Sequence, residues 1–326
     1  MDILGAFRGT IKNLTTYWKA QQGDLEWLVK NLGHGPYATS DGTQSLSPLH
    51  HEIISRIHRR VTHSDLPTGD RVYHMEVYHP NVKDLDGLTI LYLADTHFVD
   101  TKRSRRKFDA YDFLRHRPFD IVVHAGDIID ASASQMMDHH YLFLSGIKGK
   151  LGKYFVLGNH DYNDGDRIPA LTGRMEEAGF VNITNASHQL EYNGKKLFLI
   201  GLDDPLLGKP NPARAFENVE DDSFNILVVH SLDGLTSHVP ELADLVLSGH
   251  VHAGELNFKV INGYHYLAML GYYHNLNHQQ RGFKFLTPRT LSYIHPGVYS
   301  HARDGTFIPR IGTDKQGIVI LKLNKC

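Results

Sequence analysis

Five short segments of the chain place oxygen and imidazole side chains directly after apolar, β-branched runs. They read Asp95-Thr96-His97, Gly126-Asp127, Gly158-Asn159-His160-Asp161, His230 and Gly249-His250-Val251-His252. Carboxylate, amide and imidazole donors, with no thiolate among them, suit divalent ions such as manganese, iron, zinc or cobalt. Two adjacent ions of this kind can activate water and hold an in-line displacement at phosphorus. The pattern therefore predicts metal-assisted hydrolysis of a phosphate ester.

Each segment taken alone is weak evidence for a metal site. An Asp-x-His at a strand end is as often a cap or a structural hydrogen bond as a pair of ligands. Gly126-Asp127 alone is typical of a turn, and a lone His230 is more often a satisfied core histidine. The five segments in this order, each after a predicted strand, favour a common site.

The elements that must position these segments are short buried strands that alternate with helices. The predicted strands cover residues 88–94, 121–125, 154–157, 197–202, 226–229 and 245–247, and the predicted helices cover 108–114, 134–147 and 168–178. This alternation indicates an α/β architecture. Because ligands of open α/β sheets gather beyond the carboxyl ends of the strands, we expect the five segments to meet there.

The chain before residue 86 has a different texture, so we predict an N-terminal helical extension and lead-in strand over 1–85 and a catalytic domain over 86–326. An apolar stripe predicts a helix over 1–32. The stripe is expected to pack on the catalytic domain or in a homodimer. The alternative is peripheral membrane contact, with basic residues near the headgroups. A loop over 37–47, a helix over 50–61 and a strand over 71–78 follow.

Composition narrows the classes of protein. The net charge is −2, which gives no strong signature of nucleic-acid binding, and the only cysteine is Cys326, which excludes an intramolecular disulfide framework. The 23 histidines are many for 326 residues, although abundance alone identifies no ligand. No apolar run reaches the roughly 18–20 residues of a membrane span. Without a secretory signal at the N-terminus, we expect a cytoplasmic protein.

The five segments resemble the signature of the calcineurin-like metallophosphoesterase superfamily: D-x-H, G-D, G-N-H-D/E, H and G-H-x-H. The resemblance covers about residues 88–323 and implies a four-layer αββα sandwich of two mixed β-sheets flanked by helices. It also implies two metal ions, whose ligands would be Asp95, His97 and His252 for one, Asn159, His230 and His250 for the other, and Asp127 as the bridge. Metal-bound hydroxide would attack, and His160 would protonate the leaving oxygen.

Two carboxylates near these ligands remain open to more than one interpretation. Asp161 is predicted to orient the His160 imidazole, and the alternative is a loop-stabilising Asx turn. Asp130 would either support a ligand or cap a helix. The basic run over 102–107 is predicted to bind a substrate phosphate through Arg103, Arg105 and Arg106, although most such runs are solvated surfaces.

A closer resemblance extends through residues 154–162, 177–180 and 197–205. These stretches resemble a branch of bacterial, often membrane-anchored phosphoesterases, some of which cleave a UDP-diacylglucosamine lipid precursor. The chain departs from that branch in Ala253-Gly254-Glu255, where the branch has G-G-Q, and in lacking its N-terminal span. The substrate is therefore left as a phosphodiester, a pyrophosphate or a phosphomonoester. The alternatives are a lipid pyrophosphatase, a nuclease and a non-catalytic scaffold for protein binding, and the complete ligand set argues against the scaffold.

Overall fold

The computed structural model of the chain describes residues 48–130, 133, 135–162, 165–220, 222–232, 239, 242–252, 258–260, 264–266, 282–299 and 315–326. The predicted helix over 1–32 and the predicted loop over 37–47 lie outside the described residues. Membrane contact or a homodimer through residues 1–32 therefore stays a prediction.

The larger sheet has seven strands in the order β1-β2-β15-β3-β4-β5-β6. Their bounds are β1 Thr62–Asp65, β2 Arg71–His79, β3 Thr89–Leu93, β4 Ile121–Ala125, β5 Lys153–Val156, β6 Phe180–Asn182 and β15 Gly317–Lys325. The run from β3 to β6 is parallel, and β15 is parallel to β2 and antiparallel to β3. The sheet is therefore mixed, as predicted.

The second sheet has six strands in the order β13-β14-β10-β9-β8-β7. Their bounds are β7 Ala186–Tyr192, β8 Lys195–Gly201, β9 Phe224–Val228, β10 Leu245–Ser248, β13 Gly282–Phe285 and β14 Leu291–Ile294. Strands β8, β9, β10 and β14 are parallel, and β7 and β13 are antiparallel edges. A separate hairpin pairs β11 Phe258–Val260 with β12 Tyr264–Tyr266.

The α-helices in the described part of the chain are α1 Pro48–Arg59, α2 Lys102–Ala110, α3 Asp138–Gly146, α4 Ile168–Glu177 and α5 Pro212–Ala215. The basic run over 102–107 is the first part of α2, whereas the sequence predicted a helix only from residue 108. That prediction was wrong because Thr101 caps the helix: its side chain accepts a hydrogen bond from the Ser104 amide.

The core separates into layers that follow the alternation of side chains along each strand. In β3, Ile90 and Tyr92 pack toward the second sheet, and Leu91 and Leu93 pack toward the helices. The helix side of the larger sheet holds Phe108 of α2, Phe143 of α3 and Leu171 of α4. The outer face of the second sheet packs with α5 and the loops near it. Two mixed sheets with helices outside them confirm the predicted sandwich.

Strand β15 was absent from the sequence-based prediction, although it lies inside the larger sheet between β2 and β3. Its residues Ile318–Leu321 are buried on both faces. A continuous apolar run is typical of such a strand, because helices or a second sheet cover each side. Strand β2, which the sequence assigned to the N-terminal extension, and strand β1, which the sequence did not predict, belong to the same sheet.

Candidate dinuclear metal site

All five candidate metal-binding segments lie at the carboxyl ends of parallel strands. Asp95 and His97 follow β3, Asp127 follows β4, and Asn159 follows β5 in the larger sheet. His230 follows β9 in the second sheet, and His250 and His252 follow β10. The carboxyl edges of the two sheets meet, because side chains from both lie within a few ångströms of each other. The placement expected from the sequence is confirmed.

The first group of donors consists of Asp95, His97, Asp127 and His252, whose ligating atoms lie within 4.8 Å of one another. His252 Nε2 is 3.2 Å from Asp95 Oδ1 and 3.2 Å from His97 Nε2. His97 Nε2 is 3.5 Å from Asp127 Oδ2. All four residues are buried.

The second group consists of Asp127, His230 and His250. His230 Nε2 lies 3.2 Å from Asp127 Oδ2, and Asn159 Oδ1 lies 3.0 Å from both His230 Nε2 and His250 Nδ1. The Asn159 oxygen therefore belongs to this group as a neutral donor. The two sets are those that the resemblance assigned to two ions, and Asp127 is the residue that they share.

The donors fit divalent ions by their chemistry and by their unsatisfied atoms. Asp95 Oδ2 and His97 Nδ1 are buried and have no hydrogen-bond partner among the described residues. Burial lowers the pKa of His97 and that of His250 to about 3, so both rings are neutral, as ligation requires. Burial opposes ionisation of Asp127, yet His230 and His160 hold its pKa well below the usual range.

Two of the segments contain glycines at positions where a Cβ atom would clash with the facing loop. A Cβ on Gly158 would lie 2.3 Å from Asp127 N and 2.8 Å from His230 Cγ. A Cβ on Gly126 would lie 2.6 Å from Gly158 N, and its φ of +83° favours glycine independently. The two loops therefore approach each other more closely than side chains would permit.

The backbone at the ligands is unusual. Seven non-glycine residues among those the structure describes have positive φ, and five of them are candidate ligands. These are Asp95 at 53°, His97 at 40°, Asp127 at 52°, His250 at 68° and His252 at 50°. A left-handed L-residue costs roughly 1–2 kcal/mol. Concentrated strain of this kind is typical of sites whose geometry serves binding or catalysis.

Thr96 and His124 support the first loop, and the sequence analysis did not single them out. The Thr96 hydroxyl donates to Ile128 O at 2.8 Å, so it accepts the hydrogen of His124 Nε2 at 2.9 Å. Burial lowers the pKa of His124 to about 3, which keeps that ring neutral. The only sequence signal for Thr96 is its position between two candidate ligands.

His160 lies beside the first group, where its ring is 4.7 Å from the His97 ring between centroids. Its backbone N–H donates to Asp127 Oδ1 at 2.8 Å. His160 Nδ1 is buried and has no hydrogen-bond partner among the described residues. Asp130, His97 and His160 form a further close group, which places Asp130 near both histidines.

The Asp161 carboxylate binds backbone amides and does not orient the His160 ring as predicted. Its Oδ1 accepts from the amides of Ile128 at 2.9 Å and Ile129 at 3.2 Å, and its Oδ2 accepts from that of Gly158 at 2.9 Å. The prediction that Asp161 fixes the imidazole was wrong, because the described hydrogen bonds of this carboxylate go to backbone amides and His160 Nδ1 has no partner among the described residues. The alternative, a loop-stabilising role, matches the contacts.

The three arginines predicted to bind substrate are exposed on α2. The Arg105 guanidinium donates to Asp100 Oδ1, with Nε at 3.0 Å and Nη2 at 2.5 Å. Exposed ion pairs of this kind contribute little to stability. Substrate contact by Arg103, Arg105 and Arg106 stays a prediction.

The fold and this site define the class. The family model of the calcineurin-like phosphoesterases matches residues 88–254, about half of the chain, and the chain belongs to that family. The matched region contains every one of the candidate ligands.

The chain is similar to several curated metallophosphoesterases. It is 29% identical over 175 residues to the uncharacterized metallophosphoesterase YkuE of Bacillus subtilis, covering 52% of this chain and 60% of that protein. It is 27% identical over 187 residues to YkoQ of the same organism, covering 56% and 66%. A dimetal phosphatase from Danio rerio aligns with 67% of this chain and 90% of its own, at 13% identity and a TM-score of 0.42. The chain thus spans less than two thirds of the length of either Bacillus relative.

None of the helices that the structure describes combines the length and apolar character needed to cross a bilayer.

Proposed function

We propose that the protein is a dinuclear metal-dependent phosphoesterase that hydrolyses a phosphodiester, a pyrophosphate or a phosphomonoester. The observation that carries the proposal is the position of Asp127, whose carboxylate belongs to both groups of donors. A shared carboxylate offsets the repulsion between two cations held a few ångströms apart. Manganese, iron and zinc all suit the mixed nitrogen and oxygen donors.

The candidate residues would have separate roles in metal binding and proton transfer. Asp95, His97 and His252 would hold one ion, Asn159, His230 and His250 would hold the other, and Asp127 would join them. When bound, the two ions supply Lewis-acid activation of water and of the phosphate oxygens. The strained loops hold the donors in place before binding, so little reorganisation is needed. His160 lies close enough to the first group to give a proton to the leaving oxygen.

The wild-type protein tests the proposal through its metal content. Protein purified without chelator should hold about two transition-metal ions per chain and hydrolyse bis(p-nitrophenyl) phosphate. Removing the metals with a chelator should abolish hydrolysis, and adding manganese or zinc should restore it. Elemental analysis on the same samples links the two measurements. Full activity in protein free of metal would contradict the proposal.

Replacing His160 tests its role as the general acid. We expect His160→Ala to keep both ions, because the alanine retains the backbone N–H that donates to Asp127. The rate should fall by about 10²–10⁴-fold for an alkyl leaving group, which requires a proton, and much less for p-nitrophenolate. The measurement is kcat for matched alkyl and nitrophenyl phosphodiesters.

The control for that variant is His63→Ala, since His63 is an exposed histidine on β1. It should change neither rate. If His160→Ala slows both leaving groups by the same factor, His160 is not the proton donor. The proposal of a two-metal phosphoesterase would then stand without that residue.

A further inference from the structure

Arg167 precedes α4, and its buried side chain contacts two loops of the candidate site. Its guanidinium donates to backbone carbonyl oxygens on both loops. The acceptors are Ala133 O at 2.6 Å, Asp130 O at 3.4 Å, Asp161 O at 3.4 Å and His160 O. Asp130 and Ala133 belong to the loop after β4, and His160 and Asp161 belong to the loop after β5.

The Asp161 carboxylate joins the same two loops through the opposite kind of backbone group. It accepts from the amides of Ile128 and Ile129 on the loop after β4, and from Gly158 on its own loop. Arg167 therefore binds carbonyl oxygens of these loops, and Asp161 binds their amide N–H groups. Together they fix the spacing between Asp127 and His160.

We propose that Arg167 is a positioning residue for His160, an inference that rests on the proposed function. The planar guanidinium presents five donors in a rigid fork, so it can hold several carbonyl groups in one arrangement. Through His160 O it holds the backbone whose N–H donates to Asp127. Displacing that backbone would move the imidazole away from the leaving oxygen, whereas none of the four carbonyl groups that Arg167 contacts belongs to a candidate metal ligand.

A lysine at this position keeps the positive charge but lacks the planar guanidinium that contacts several carbonyl groups at once. We expect Arg167→Lys to hold about two ions and to keep KM. Its kcat should fall by about 10- to 100-fold for an alkyl phosphodiester, as expected for a misplacement of about 1 Å. The fall for the nitrophenyl substrate should be much smaller. Arg167→Gln retains two donor hydrogens and should show the same selective loss if the lysine variant folds poorly.

The matched control is Arg174→Lys. Arg174 lies two turns further along α4 and pairs with Asp138 and Glu177 at the surface. It contacts neither loop through a described hydrogen bond, so both rates should stay unchanged.

The decisive measurement combines Arg167→Lys with His160→Ala. If Arg167 acts through His160, the lysine substitution should have no further effect on kcat once the imidazole is absent. An equal loss in both backgrounds would overturn the inference, as would loss of bound metal in Arg167→Lys. Failure of both Arg167 variants to fold would also overturn it and assign the residue to folding.

These outcomes are separable from failure of the proposed function. A wild-type protein that binds no metal and hydrolyses neither substrate would refute the phosphoesterase itself. A wild type and a His160→Ala variant that behave as expected, with an additive double variant, would refute only the role of Arg167.

Discussion

Asp127→Asn is expected to lose metal from both sites at once and to abolish hydrolysis. Asparagine has nearly the same shape, so the change removes the negative charge and leaves the loop intact. The Asp127 Oδ2 atom lies 3.2 Å from His230 Nε2 and 3.5 Å from His97 Nε2, one atom in each group. No other residue belongs to both groups of donors among the described residues.

The size of the effect follows from the position of Asp127. Loss of an outer partner of a metal ligand costs about 10- to 100-fold in metal affinity or activity, and loss of a ligand shared by two ions should exceed that. We expect fewer than about one ion per chain and a fall in kcat/KM of more than about 100-fold. Elemental analysis and hydrolysis of bis(p-nitrophenyl) phosphate measure the two quantities.

Asp120→Asn is the control for that experiment. Asp120 is a buried carboxylate at the opposite end of β4, where it accepts hydrogen bonds from Thr89 and Lys150. Its replacement should lower stability by about 1 kcal/mol and leave the metal content unchanged. Two ions and full activity in Asp127→Asn would show that the carboxylate does not join the sites.

Gly158→Ala is expected to have the second largest effect, because the added methyl group has no room. Its Cβ would lie 2.3 Å from Asp127 N and 2.4 Å from Asp127 Oδ1, and side-chain rotation cannot relieve contact with backbone. The loop must move, which carries Asn159 and His160 with it. We expect a fall in kcat/KM of about 100-fold and a loss of about 1–3 kcal/mol in the free energy of unfolding.

Gly173→Ala is a matched control within the same part of the chain. Gly173 lies inside α4, and nothing lies within 4 Å of the position its Cβ would take. Alanine there should stabilise the helix by about 0.5–1 kcal/mol and leave activity unchanged. Urea unfolding of both variants without metal separates the packing effect from lost metal binding. Wild-type activity in Gly158→Ala would show that the close approach of the two loops is not required.

The sequence predicted the location of the site because its signals are local. Each candidate ligand follows an apolar run, and the carboxyl ends of parallel strands meet at a sheet edge. The grouping of Asp127 with both histidine sets followed from the resemblance and agrees with the observed distances. These features depend on strand order and residue type, which the chain displays directly.

What the sequence did not predict depends on contacts between distant segments. Strand β15 pairs with β2 and β3, more than 220 residues earlier, and no local pattern specifies such a partner. The Asp161 carboxylate was expected near an imidazole because the two residues are adjacent. It turns instead toward amides of a loop about 30 residues earlier. Arg167 carries no motif, and its role became visible only from its hydrogen bonds.

The left-handed backbone of the ligands was equally unpredictable. Asp95, His97 and Asp127 are of residue types that are enriched at positive φ, yet most Asp and His residues adopt negative φ, so residue type alone does not predict the conformation. The conformation is set by the surrounding loops, including the Thr96 hydroxyl and the glycine contacts. The sequence therefore indicates the candidate ligands, whereas their backbone φ angles depend on packing in the folded protein.

The meeting of the two sheets at the site has a consequence for the whole fold. Each group of donors takes residues from both sheets: His252 joins three residues of the larger sheet, and His230 and His250 join Asp127 and Asn159. A bound ion would therefore link the two sheets. A ligand that binds only the native state stabilises it in proportion to the logarithm of the ligand concentration. The melting temperature of the protein should therefore rise with the concentration of metal. Shortage of metal in the cell would therefore lower the stability of the fold as well as the activity.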